Sequence, residues 1–302
     1  MFLLKIIILA IVQGLAELLP VSSSAHVVVA EKLLGLDPSS PSMTLLLVML
    51  HTGTMFAVIV YFWPQWRRTY FQDVAAFKKF TGRVIVATAL TAVIGEIIIK
   101  IIEKTVFRDV PHAQIEDLFS HLEFIAPALA AAGLLILIAG LSERRHSRQS
   151  RAGTIGAAAV ARTTIQTNDL SVGQAGVIGA IQGLCLPFRG FSRSGATIST
   201  AMLLGVMKSR AEAFSFALAV VLTPLVVARE GLRLVQASRA DPTTQLGSIA
   251  FASVFGAVVA FFAGLVALKW LSRWLEGGRW YLFGIYCLVA AVAVMALHLA
   301  GY

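Results

Sequence analysis

Six stretches of this chain, 43–63, 82–104, 124–141, 211–235, 247–271 and 280–300, are apolar runs of about the length that crosses a bilayer. Hydrocarbon offers no water to satisfy backbone amides, so only helices or closed barrels span it. Continuous apolar runs without period-two alternation read as helices. Composition agrees, with 58% hydrophobic residues, 14% charged residues and a mean hydropathy of +0.81. Soluble domains hold about 45–50% apolar residues. The expected class is therefore an all-α, polytopic membrane protein. Its net charge of +9 then reports loop asymmetry rather than affinity for nucleic acid, and no nucleic-acid partner is expected.

Four further segments, 2–19, 23–35, 173–186 and 194–206, are apolar but short. Pro20 breaks the first pair, and Pro187 with Gly190 breaks the second. Each pair reads as a re-entrant hairpin, 2–35 and 173–206, whose non-helical centre must be buried in protein or line a polar cavity. The pattern repeats in letters: Gln13-Gly14-Leu15 precedes Pro20 and Ser22, Ser23, Ser24, while Gln182-Gly183-Leu184 precedes Pro187 and Ser192, Arg193, Ser194. The expected organisation is a first repeat at 1–141, a basic linker at 142–172 and a second repeat at 173–302. With three spans per half the repeats are inverted, and broken helices then meet near the midplane. Lys5 and the apolar run after it resemble a signal peptide. Gln13, Glu17 and Pro20 follow at once, however, and the stretch recurs later, so it is read as part of the fold.

Loop charge orients the chain. Arg67, Arg68, Lys78, Lys79 and Arg83, the arginines of 142–172, and Lys269, Arg273 and Arg279 fall on one side, taken as cytoplasmic. Both termini and the opening of the first hairpin then face outward. Cys185 and Cys287 show no metal-ligand spacing and are expected to form no disulfide.

Chemistry concentrates at the two breaks. Gly190-Phe191-Ser192-Arg193-Ser194-Gly195-Ala196-Thr197 joins a guanidinium, hydroxyls and two glycines to a helix N-terminus, features that suit phosphate oxygens. The competing reading is a Gly/Ser loop whose arginine pairs with a headgroup or a carboxylate. Gln13 and Glu17, four apart, share a helix face. They could bind a divalent metal, act in acid–base chemistry, or simply bond a neighbouring helix. Ser22, Ser23 and Ser24 offer nucleophiles or N-caps. His26 lies within reach of a serine as general base or acid, or is a packed structural residue. His51 is left open between lining the site and packing.

The stretch Gln13 to His26, QGLAELLPVSSSAH, together with GFSRSGAT at 190–197, resembles the two signatures of the undecaprenyl-diphosphate phosphatase family, integral-membrane proteins linked to bacitracin resistance. The resemblance covers essentially the whole chain. It implies hydrolysis of a C55 polyprenyl diphosphate to the monophosphate and inorganic phosphate in the bacterial inner membrane, with the site facing the periplasm or exterior. It also implies a fold of paired re-entrant hairpins in an inverted repeat. By position, Ser23 matches the nucleophile, His26 its partner, Arg193 the phosphate clamp, and Glu17 with Gln13 the metal or acid–base pair. Ser22, Ser192, Ser194, Gly195 and Thr197 become supporting phosphate contacts. A divalent cation, Mg²⁺ or Ca²⁺, is implied as cofactor, the polyprenyl diphosphate lipid as partner, and a homodimer is one candidate assembly. Three departures stand out. Gln13 replaces a carboxylate, which predicts weaker metal affinity or a slower rate. Arg189 replaces a proline, and Ala25 a glycine. The rival readings are a polyprenyl-phosphate transporter or flippase, which needs the anion site but no nucleophile, and a silent lipid-binding homologue.

Overall fold

The computed structural model describes residues 2–36, 41–105, 122–151, 170–240 and 246–301. These form ten helices and no strand: α1 Phe2–Leu18, α2 Ser23–Leu33, α3 Pro41–Thr69, α4 Val74–Thr105, α5 Leu122–Arg151, α6 Val172–Cys185, α7 Arg193–Leu203, α8 Lys208–Ala240, α9 Leu246–Glu276 and α10 Trp280–Leu299. Five of them, α3, α4, α5, α9 and α10, carry spans long and apolar enough to cross a membrane. The sixth expected span, 211–235, falls inside α8, several of whose side chains lie outside the described residues. The outer loop expected at 105–122 and most of the linker at 142–172 also lie outside them. Where the linker was expected to begin, α5 instead continues to Arg151.

Apolar side chains cover the outside as well as the core. Phe262, Val266, Val289 and Val292 are all more than 60% exposed, a pattern that lipid accepts and water does not. Burying apolar groups from lipid brings little hydrophobic gain, so close backbone approach must hold the helices together. That is how the two short hairpins dock. α1 packs along α9, and α6 along α4. A Cβ added to Gly14 of α1 would lie 2.6 Å from Ala263 Cβ and 2.8 Å from the Ala260 carbonyl. A Cβ on Gly183 of α6 would lie 2.8 Å from the Thr91 carbonyl. The residue before each, Gln13 or Gln182, is thereby buried at the crossing.

The remaining contacts bring the breaks together. α3 packs on α8, α5 on α10, and α7 on both α5 and α8. Gly190 sits at φ +101°, where a Cβ would fall 2.4 Å from the Ile125 carbonyl of α5, so glycine is required there on both counts. The chain can therefore turn tightly into α7 directly beneath the start of α2.

Candidate active site

The turn after α1 and the turn before α7 are joined by side chain–backbone hydrogen bonds. The Gly190 N–H donates to Ser24 Oγ at 3.2 Å, and the Ser194 hydroxyl to the Leu19 carbonyl at 3.2 Å. Ser22 and Ser192 cap α2 and α7, accepting from the amides of Ala25 and Gly195. Ser22 holds φ +68°, a left-handed conformation costly for serine. The Thr197 hydroxyl is bonded to the Arg193 carbonyl at 2.8 Å and to Ser215 Oγ at 2.5 Å. Ser22, Ser192, Ser194 and Thr197 are all buried. Their hydroxyls, and the N–H groups of Gly190 and Gly195, are thus spent on building the two turns. A Cβ on Gly195 would press on Ile136 Cδ1 at 2.6 Å, so this glycine seats α7 against α5.

What the turns present is Glu17 and Arg193. Arg193 opens α7 and makes an ion pair with Glu17 Oε1, across 176 positions of sequence. Both are largely enclosed, with side chains 25% and 12% exposed. The reading in which this arginine pairs with a carboxylate therefore describes the ligand-free site. The second oxygen, Oε2, accepts the Ser23 hydroxyl at 2.5 Å and the Gln13 amide at 3.2 Å. His51 Nε2 of α3 lies 3.5 Å from the same oxygen. A small surface cleft is lined by Glu17, Arg193, His51, Thr54 and Thr223 among others. Ser23, half-buried, does not line this cleft and reaches it through Glu17.

His26 does not meet Ser23 as the family pattern implies. Its Nδ1 bonds to the Ser22 carbonyl one helical turn back at 2.8 Å, and its Nε2 to the Tyr286 hydroxyl at 2.7 Å. The two rings stack with centroids 5.6 Å apart. Helical geometry explains the difference, since on α2 the nearest acceptor for this ring is the i−4 carbonyl. Tyr286 was not marked by the sequence, where it is one aromatic among the apolar residues of α10. His51 carried only the faint signal of a histidine inside an apolar span.

The described side chains do not complete a divalent-cation site by themselves; a cation here would need the substrate's phosphate oxygens beside Glu17 and Gln13. Mg²⁺ and Ca²⁺ require oxygen ligands. Glu17 is the only carboxylate among the residues lining the cleft, and both its oxygens already accept hydrogen bonds. Gln13 turns its NH₂ toward Glu17, and among the described residues no group of three His, Cys, Asp or Glu side chains could hold a metal. If such a shared cation serves the reaction, phosphate release falls beyond about tenfold in excess EDTA and returns with added Mg²⁺ or Ca²⁺. A rate within about twofold of the untreated one would leave Arg193 as the positive charge at the site. Cys185 and Cys287 are both free.

Residues 6–293 match the family model described as Bacitracin resistance protein BacA. The chain is 54% identical over 300 residues to undecaprenyl-diphosphatase 2 of Acinetobacter baylyi, covering 98% of each chain. It is 34% identical over 307 residues to the undecaprenyl-diphosphatase of Desulfatibacillum aliphaticivorans, covering 97% of this chain and 98% of that one. The undecaprenyl-diphosphatase of Rhodopirellula baltica is 30% identical over 299 residues, with 98% of each covered. Every residue of the Glu17–Arg193 centre lies within the matched region, and by that match the chain belongs to the family of the bacitracin resistance protein BacA.

Proposed function

We propose that this protein is a phosphatase that hydrolyses undecaprenyl diphosphate to undecaprenyl phosphate and inorganic phosphate, returning the C55 carrier to cell-wall synthesis. One observation carries the reading. A serine hydroxyl lies 2.5 Å from a buried carboxylate that is itself paired with an arginine. A transporter or a silent lipid-binding protein would need the arginine, but it has no use for a carboxylate placed to take a proton from a hydroxyl. The names of the relatives agree with the phosphatase.

In this mechanism the lipid tail lies along the apolar outer faces while its diphosphate enters the cleft. The phosphate oxygens compete with Glu17 for the Arg193 fork, and the developing charge is met by that guanidinium. Glu17 Oε2 takes the Ser23 proton as Ser23 Oγ attacks the terminal phosphorus. The bond to the bridging oxygen breaks, and the electron pair leaves on undecaprenyl phosphate. Water then attacks the phosphoserine, and Ser23 recovers its proton. Because Glu17 lines the cleft and Ser23 does not, direct attack by a water that Glu17 deprotonates is a second route on the same groups.

The reading also places the two hairpins as re-entrant elements of an inverted repeat, with the centre opening to the periplasmic side. The matched crossings at Gly14 and Gly183 support the repeat, each hairpin helix packing on a long helix of the opposite half. The orientation follows from the basic loops on the other side.

The test is phosphate release from undecaprenyl diphosphate by the detergent-purified protein, beside Ser23→Ala. If Ser23 is the nucleophile, S23A falls by about 10³-fold or more, and acid quenching of the wild type within one turnover traps phosphate on Ser23. An S23A rate within tenfold of wild type would leave water as the attacking group. No release by the folded wild type would overturn the phosphatase.

A further inference from the structure

We infer that the imidazole serving the reacting centre is that of His51 on α3, and not that of His26. This rests on the phosphatase reading but goes beyond it, because the family pattern gives that role to the histidine that follows the serines.

The two rings differ in what their nitrogens face. A backbone carbonyl only accepts, so the ring nitrogen against it must carry the proton. In His26 that nitrogen is Nδ1, donating to Ser22, and Nε2 is taken by the Tyr286 hydroxyl. No nitrogen remains for Ser23 or for substrate in this arrangement. In His51, Nδ1 likewise donates to a carbonyl, that of Leu47 at 2.8 Å. Its Nε2 then presents a lone pair, and it faces Glu17 Oε2 at 3.5 Å from the wall of the cleft beside Arg193. The contact is at ion-pair distance, and it needs to close to about 3 Å for a proton to pass between the two acceptors.

The relay balances. The attacking hydroxyl, of Ser23 or of water, gives its proton to Glu17 Oε2 as its oxygen bonds the terminal phosphorus. Glu17 passes the proton to His51 Nε2. The bond from phosphorus to the bridging oxygen breaks, and the leaving undecaprenyl phosphate oxygen keeps the electron pair and takes the proton from His51. Glu17 is 12% exposed and His51 44%, so the relay runs from the enclosed carboxylate outward to the surface cleft. Leu47 fixes the ring from behind, one turn earlier on α3. The relay holds for either nucleophile, since both give their proton to the same carboxylate oxygen.

The test compares His51→Ala with His26→Gln in the detergent-purified full chain, using steady-state phosphate release from undecaprenyl diphosphate. H51A is expected to lose about 100-fold in kcat with KM within about threefold of wild type, as for removal of a positioned proton-transfer group. The kcat loss in H26Q is expected to be at least about tenfold smaller. Because H51A could also fail by misfolding, free imidazole is added to it, and recovery of at least about tenfold in kcat is expected, since removing the half-exposed ring leaves a space of its own shape at the cleft wall. The inference is overturned if H51A keeps a kcat within threefold of wild type, if imidazole gives no recovery, or if H26Q loses as much as H51A. A wild type that releases no phosphate sinks the phosphatase reading itself, an outcome distinct from all of these.

Discussion

Glu17→Gln should lower kcat for phosphate release from undecaprenyl diphosphate by about 10³-fold while leaving KM unchanged or reduced. The substitution keeps the shape of the side chain and can still accept the Ser23 hydroxyl. It removes the proton acceptor, an effect worth about 10²–10⁴ when the acceptor is positioned for the reaction. It also releases Arg193 from its only carboxylate in the cleft. In the wild type the incoming diphosphate must displace that carboxylate, so part of its binding energy is consumed before chemistry begins. With glutamine present the competitor is neutral and the lipid should bind at least as well. A fall in kcat together with an equal or lower KM is the signature of a group that acts in the transition state and opposes ground-state binding. Steady-state kinetics with a separate lipid-binding assay checks both halves. A raised KM with unchanged kcat would mean that Glu17 only helps hold the substrate.

Arg193→Lys should reduce kcat/KM by about 10²–10³, with losses in both terms. Lysine keeps the charge but not the planar fork, and the fork is what can meet two phosphate oxygens at once. The position is unforgiving because Arg193 is the first residue of α7, fixed by the Ser192 cap and by the Thr197 hydroxyl on its own carbonyl. The shorter reach of an ammonium cannot be made up by moving the helix. Thermal unfolding in detergent separates this from instability, because R193K retains a cation opposite Glu17 and should unfold close to wild type. A kcat/KM within tenfold of wild type would show that charge alone suffices, and the bidentate role would fall.

E17Q leaves KM unchanged or lower while R193K raises it, although the two side chains touch. That contrast would be hard to obtain from general damage to the site, which raises KM and lowers kcat in both.

The breaks at Pro20 and Gly190, the apolar spans and the shared face of Gln13 and Glu17 were legible in the letters, because each depends on residues within a turn or two of one another. Helical periodicity, the missing N–H of proline and the cost of charge in hydrocarbon act locally. They sufficed for the all-helical membrane class, for the ends of the short helices at the two breaks, and for Glu17 and Arg193 as charged residues to watch, whereas long helices such as α4 and α5 run past their apolar stretches to Val74 and Arg151. The repeated Gln-Gly motif also pointed to matched elements, and the Gly14 and Gly183 crossings show the physical need behind it: only a missing Cβ admits the neighbouring backbone.

Only the tertiary structure decided how the polar groups divide their bonds. Six hydroxyls or amides that looked able to hold a phosphate, those of Ser22, Ser192, Ser194, Thr197, Gly190 and Gly195, turn out to cap α2 and α7 and to lace the two turns together, leaving Arg193 to face the cleft. The roles of the histidines followed the same logic. His26 is claimed by a carbonyl on its own helix and by Tyr286, 260 positions away, while His51 is brought to Glu17 by the packing of α3 against α1. A side chain's nearest acceptor depends on helix crossings set by small residues far apart in sequence. The sequence by itself determined which groups were available, and the helix packing determined which of them remained free to act.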